Sequence, residues 1–77
     1  MEQPASRFLT LEQVAEELNT SVAQIYALVR RGEIAAIRLG GRGQWRVERK
    51  RLEEFIDGLY TDTERYVRDN PLTAGDD

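Results

Sequence analysis

The chain has 77 residues, 14 of them acidic and 11 basic, and it contains no cysteine and no histidine. A domain of this size buries only about 60% of the surface that its unfolded chain exposes, which leaves little room for a dry catalytic pocket. Disulfides, metal sites built on cysteine or histidine, and histidine base catalysis are excluded. We therefore expect a cytoplasmic protein that is not an enzyme, with no cofactor and with no membrane or small-molecule partner, because no segment has the pattern of a signal peptide or a membrane span.

The charges are segregated along the chain. Residues 30–51 carry eight basic and two acidic side chains, and the other 55 residues carry three basic and twelve acidic ones. The first segment has a net charge of +6 and the remainder −9. Crowded like charges repel each other unless a partner neutralises them. Seven of the eight basic residues are arginine, whose planar fork fits phosphates and guanine edges, so the segment indicates a nucleic-acid surface.

The first predicted element is a helix over Leu11–Leu18. Thr10 has the N-cap side chain and Gln13 stands three residues on, which is the signature of a capping box. The apolar residues that follow have helical spacing. The helix is predicted to stop at Asn19, because asparagine tolerates the left-handed backbone conformation.

A second helix is predicted immediately afterwards. Ser21 and Gln24 repeat the capping-box spacing, and Gly32 supplies the stop signal. The apolar stripe of this helix consists of Val22, Ile25, Leu28 and Val29.

Beyond the second helix the apolar period changes from helical spacing to alternation, which predicts a hairpin around the glycine-rich loop 40–43. The predicted strands are Ile34, 36–39 and 44–47. Alternation places Trp45 on an apolar face that packs on the core. It also predicts that Arg38 and Arg46 are cross-strand neighbours on the opposite, polar face, where their mutual repulsion favours phosphate binding.

A third helix is predicted to begin near Arg49 and to stay amphipathic over about 18 residues. Three cations at its start oppose the helix dipole, so we expect at least one of them to pair with Glu53 or Glu54. A domain of this size has no core to cover the distal part of the helix, which is therefore expected to contact a second copy or a partner protein. The residues of that predicted association surface are Leu59, Tyr60, Tyr66 and Val67.

Two helices joined by a tight turn, followed by a hairpin with an arginine-bearing loop, have the plan of a winged helix-turn-helix: mainly α, three helices and a small β-hairpin wing. The segments 8–18, 19–21, 25–26, 30–34 and 39–47, in this order and spacing, resemble the excisionase-type helix-turn-helix domains, which are relatives of the mercury-regulator (MerR-like) DNA-binding domain. The resemblance covers residues 8–57. It implies duplex-DNA binding without a cofactor, with the second helix in the major groove and the wing against the backbone or minor groove. Asn19 stands where the motif prefers glycine.

Physical chemistry gives the second helix and the wing separate roles in such binding. The N-terminus of the second helix can hold a phosphate, Ala23 and Ala27 can meet thymine methyl groups, and Gln24 can pair with an adenine edge. Arg42 lies between glycines at the predicted loop tip, where it has nothing to pack against. The predicted DNA-binding residues are Ser21, Ala23, Gln24, Tyr26, Ala27, Arg30, Arg31, Arg38, Arg42, Arg46 and Arg49.

The predicted organisation is a flexible arm over 1–8, a DNA-binding domain over 9–57, an extension of the third helix over 58–68 and a disordered acidic tail over 69–77. The function expected is sequence-preferring duplex-DNA binding by a small, nucleoid-associated transcriptional regulator or excisionase-like recombination accessory factor. One alternative is a protein-interaction module that acts through the C-terminal amphipathic helix without binding DNA. Another is single-stranded RNA binding through the loop 40–43.

Overall fold

The computed structural model describes residues 6–71, so residues 1–5 of the predicted arm and 72–77 of the predicted tail lie outside the described residues. The elements in chain order are β1 (Phe8–Leu9), α1 (Leu11–Glu17), α2 (Val22–Arg30), β2 (Ile37–Arg38), β3 (Trp45–Glu48) and α3 (Arg49–Asp69). The mainly helical fold with a hairpin wing is confirmed. Asp69, the first residue of the predicted tail, is the last residue of α3.

Local hydrogen bonds fix the start of α1. The backbone N–H of Gln13 donates to Thr10 Oγ1 at 3.1 Å, and the N–H of Thr10 donates to Gln13 Oε1 at 2.9 Å. The predicted capping box is therefore confirmed. The turn after α1 also follows the prediction, since Asn19 has a φ of 54°, in the left-handed region.

The cap of α2 is only half of a capping box. The N–H of Gln24 donates to Ser21 Oγ at 3.1 Å, as the sequence predicts. The reciprocal bond, from the Ser21 N–H to Gln24 Oε1, is not made within residues 6–71, which leaves the side-chain amide of Gln24 available on the helix surface. The helix ends one residue before the cap residue Arg31, and Gly32 follows with a φ of 77°.

The sheet has three strands rather than the two of the predicted hairpin. β3 lies in the centre, with β1 and β2 antiparallel on either side. Phe8 pairs with Glu48 and Leu9 with Val47, so Phe8 belongs to a strand and not to the arm. Two residues are too few to show alternation, and their partners lie 40 and 38 positions later in the chain, at Glu48 and Val47. The sequence therefore carries no local signal for β1.

The register of the hairpin corrects the predicted polar face. Ile37 is opposite Arg46, and Arg38 is opposite Trp45. Arg38 therefore shares a sheet face with Trp45, and Arg46 lies on the other face, so the prediction that the two arginines are neighbours is wrong. The N–H of Leu39 donates to the carbonyl oxygen of Gln44 at 2.7 Å, which closes a four-residue loop and sets this register. A shift of one residue would move every side chain to the other face.

The core lies between α1, α2, β3 and the first turns of α3. Its buried residues are Leu9, Leu11, Val14, Ala15, Ile25, Val29, Ile34, Val47 and Leu52. Trp45 is half-buried and packs against this cluster, as predicted. Ile34, a predicted strand residue, is only 1% exposed but lies outside the strands. Val22 belongs to the predicted apolar stripe of α2 but is 41% exposed.

The distal part of α3 extends away from the core. Leu52 is buried, Phe55 and Ile56 are half-buried, and every described residue beyond Ile56 is exposed. The Cα radius of gyration is 15.1 Å, whereas a compact chain of this length has about 11 Å. Within residues 6–71, no helix combines the length and the apolar composition that crossing a membrane requires.

We expect Asn19→Ala to lower the free energy of unfolding by about 1 kcal/mol, because a β-carbon without a compensating polar group is unfavourable at positive φ. Asn19→Gly should retain or raise the stability. Denaturant unfolding measures both, with Thr20→Ala as the neighbouring exposed control. Equal midpoints for Asn19→Ala and the parent would contradict the role assigned to this turn.

Candidate nucleic-acid interface

The outer face of α2 presents most of the residues that the sequence assigned to it. Ala23, Gln24 and Arg30 are exposed, Tyr26 is 42% exposed, and Ala27 is half-buried. The predicted cap residue Ser21 is exposed as well, although its hydroxyl already accepts the N–H of Gln24. The face thus combines small apolar groups, a free amide and a cation.

A groove with a volume of about 370 Å³ separates α2 from the wing. Its lining residues are Leu11, Glu12, Val22, Tyr26, Gly43, Gln44, Trp45 and Arg46. Sequence reasoning assigned no site role to Glu12, Val22 or Gln44. Val22 could have been identified as a site residue from the sequence, because it directly follows the cap residue Ser21 at the start of α2. The other two depend on how the wing folds over α1 and α2.

The wing tip is shaped by glycines and carries Arg42. Gly40 and Gly43 have φ values of 79° and 69°, which side chains with a β-carbon rarely adopt. Arg42 is exposed between them. Within residues 6–71 its side chain makes neither an ion pair nor a hydrogen bond to the protein, as expected for a side chain at a loop tip.

The arginines of the basic segment divide into two groups. Those paired with a carboxylate are Arg31 with Glu33 at 2.9 Å, Arg49 with Glu17 at 2.9 Å and Arg51 with Glu54 at 3.4 Å. In the described part of the chain, the arginines of this segment without a carboxylate partner are Arg30, Arg38, Arg42 and Arg46. All four lie on α2 or the wing. Lys50, in the first turn of α3, is also exposed.

Three of these four arginines are held by contacts that leave their charge uncompensated. The guanidinium of Arg30 lies 5.8 Å from the ring centroid of Tyr26, and that of Arg38 lies 6.0 Å from the ring of Trp45. Arg46 Nη1–H donates to the carbonyl oxygen of Trp45 at 2.8 Å. The surface formed by α2 and the wing is therefore both positive and partly ordered.

Arg49 has a structural arrangement that differs from its predicted role at the interface. Its Nη2 and Nη1 donate to Glu17 at 2.9 and 3.4 Å, and its Nε donates to the carbonyl oxygen of Ser6 at 3.2 Å. The hydrogen bond with Glu17 raises the pKa of Arg49, and partial desolvation opposes that shift. One side chain thus joins α1, the segment before β1 and the start of α3.

The other expectations for the start of α3 are met. Arg49 lies 4.0 Å from Glu53, and Arg51 pairs with Glu54, so local carboxylates offset the unfavourable dipole interaction. Sequence reasoning did not identify a further pair, Arg7 with Glu48 at 3.1 Å, which ties the chain before β1 to the end of β3. Residues 6–71 contain no group of three or more side chains that could hold a metal ion.

We expect Arg49→Ala to lower the denaturant midpoint more than Arg51→Ala, whose exposed pair with Glu54 contributes little. A basic group whose pKa is higher in the folded protein than in the unfolded chain stabilises the folded state. That stabilisation is fully present at every pH below the pKa of the unfolded chain. The difference between the two variants should therefore persist from neutral to mildly alkaline pH. Equal midpoints for the two variants would contradict the structural role of Arg49.

Comparison with known proteins supports the arrangement described above. The family described as a helix-turn-helix domain matches residues 8–60, from β1 into α3. Searches of curated proteins and of solved structures give no match. The matched segment contains both helices of the motif, the wing and the whole buried core. The chain belongs to the excisionase-like helix-turn-helix domain family.

Proposed function

We propose that the chain binds duplex DNA with sequence preference and acts as a small transcriptional regulator or an excision-directing accessory factor. The observation that carries this proposal is the division of the arginines. Carboxylates neutralise Arg31, Arg49 and Arg51, whereas the arginines on α2 and the wing have no carboxylate partner among the described residues. Unneutralised cations on one surface favour a polyanionic partner.

In this proposal α2 reads base edges in the major groove. The side-chain amide of Gln24 is not used for capping, and its donor and acceptor suit those of an adenine edge. Ala23 offers a methyl contact for thymine, and Ala27 does so to a smaller extent because it is half-buried. The N-terminus of α2, capped by Ser21, adds backbone N–H groups for a phosphate.

The wing supplies further phosphate contacts. Arg38 and Arg46 lie on opposite faces of the sheet, and Arg42 lies at the tip. A wing with cations on both faces and at its end suits a groove that has phosphates on either side. We leave Arg31 and Arg49 out of this interface because both guanidinium groups already bind carboxylates.

The first test is the salt dependence of duplex binding. With four phosphates neutralised per copy, log K should fall with log salt at a slope of about −3.6. Arg42→Ala should weaken binding and reduce the slope by about 0.9, because one phosphate contact is lost. Fluorescence anisotropy with duplex DNA and with single-stranded RNA measures both quantities.

Arg51→Ala is the matched control, since it removes an arginine that is paired with Glu54. It should leave affinity and slope unchanged. A parent slope near zero, or tighter binding to single-stranded RNA, would contradict the proposed function. Parental binding by Arg42→Ala would remove the wing tip from the interface.

We further propose that the distal part of α3 mediates self-association. The specific observation is its uncovered apolar surface: Leu59, Tyr60, Tyr66 and Val67 are 43%, 69%, 62% and 38% exposed. These residues recur at helical spacing and, together with Thr63, form one continuous stripe. Exposed stripes of this kind are association surfaces, and two copies held together would bind adjacent DNA sites cooperatively.

Truncation after Gly58 should leave a folded domain, because all the buried residues of the described chain precede that position. It should also reduce self-association or cooperative binding to DNA with two sites. Sedimentation with and without this DNA measures the effect. Leu59→Asp should act like the truncation, whereas Thr61→Asp, on the other side of α3, should not. Identical masses and binding curves for all four proteins would contradict self-association.

A further inference from the structure

The groove between α2 and the wing has an aromatic residue on each wall. Tyr26 lines it from α2, and Trp45 lines it from β3. Each ring carries an arginine: Arg30 follows Tyr26 by one helical turn, and Arg38 faces Trp45 across the hairpin. The two rings therefore face one groove, and each also contacts an arginine that lies outside the groove lining.

We infer that Tyr26 and Trp45 are positioning residues, which hold Arg30 on α2 and Arg38 on the wing as phosphate donors beside the groove. This inference rests on the proposed binding of duplex DNA and adds a mechanism to it. The partner chemistry is a pair of backbone phosphates, one for each arginine. Neither ring needs to contact the DNA itself.

The physical reason lies in how a guanidinium can be held. A carboxylate orients it but neutralises its charge and occupies its donors, as Glu17 does for Arg49. An aromatic face attracts the cation through the ring quadrupole and leaves the N–H groups free at the edge of the guanidinium plane. Restricting the side chain before binding also reduces the rotamer entropy that is lost when a phosphate is bound.

A third pair in the structure provides the contrast. Arg7 lies 5.3 Å from the ring centroid of Phe8, which is closer than in either groove pair. Arg7 is also bound to Glu48 at 3.1 Å, and Phe8 does not line the groove. This pair has the same aromatic contact, but its cation is neutralised. It is therefore the natural control.

The test is a double-mutant cycle on Tyr26 and Arg30, with duplex affinity as the readout. Tyr26→Leu should weaken binding about threefold, the size expected for an exposed cation–aromatic contact. Tyr26→Phe keeps the ring and should bind like the parent. In an Arg30→Ala background, Tyr26→Leu should cost nothing further, because the residue on which it acts is already gone.

The same cycle applies to the wing. Trp45→Phe keeps an apolar ring against the core but attracts a cation more weakly, so binding should fall about twofold. In an Arg38→Ala background that loss should disappear. Phe8→Leu should leave affinity unchanged. Thermal unfolding of every variant confirms that the fold is retained.

The outcomes separate this inference from the proposed function. If the parent does not bind duplex DNA, the proposed function fails, and this inference fails with it. If the parent binds but Tyr26→Phe is as weak as Tyr26→Leu, the Tyr26 hydroxyl contacts DNA directly and the positioning role is wrong. Equal costs of Tyr26→Leu with and without Arg30 would also overturn the inference and leave the proposed function intact.

Discussion

The structure depends on the pairing of β3 with both neighbouring strands. Val47 is fully buried at its centre, β1 and β2 are each held to it by backbone hydrogen bonds, and its last residue is followed directly by α3. A strand of two residues such as β1 or β2 has no stability of its own. The wing therefore has a defined direction relative to α2 only because β3 is anchored in the core.

Arginine serves two purposes in this small domain. Where the N-terminal segment, α1 and α3 meet, Arg7 and Arg49 bind Glu48 and Glu17 and connect segments that a small core cannot hold by apolar contacts alone. On α2 and the wing, Arg30 and Arg38 instead contact the aromatic rings of Tyr26 and Trp45, and Arg42 lies at the glycine-flanked tip. The acidic net charge of the chain gives no indication of this division. The division arises because only some of the arginines have a carboxylate within reach.

The sequence predicts features that depend on neighbouring residues. The caps at Thr10 and Ser21 and the left-handed Asn19 involve residues at most three positions apart, and the structure has all of them. The core residues of α1 follow from helical spacing in the same way. These signals predict the helix-turn-helix, and the alternation around the glycine-rich loop 40–43 predicts the position of the wing.

Features that depend on distant residues could not be predicted in this way. Arg49 binds Glu17, 32 positions earlier, and the sequence, which placed Arg49 among the DNA-binding residues, has no local signal for this pair. The faces of Arg38 and Arg46 depend on the length of one loop, and alternation within each strand does not specify it. The aromatic contacts of Arg38 follow from that register, so this part of the candidate site required the three-dimensional structure.

The direct continuation of β3 into α3 has a mechanical consequence. With no loop between Glu48 and Arg49, a rotation of β3 turns the helix with it. A helix of 21 residues is about 32 Å long, so a tilt of about 10° moves its far end by about 6 Å. Gly58, the residue that weakens a helix most apart from proline, lies where α3 leaves the core and is the point at which this lever would bend. The direction of β3 therefore sets the direction of α3 as far as Gly58, and a bend at Gly58 would free the distal end of the helix from the wing.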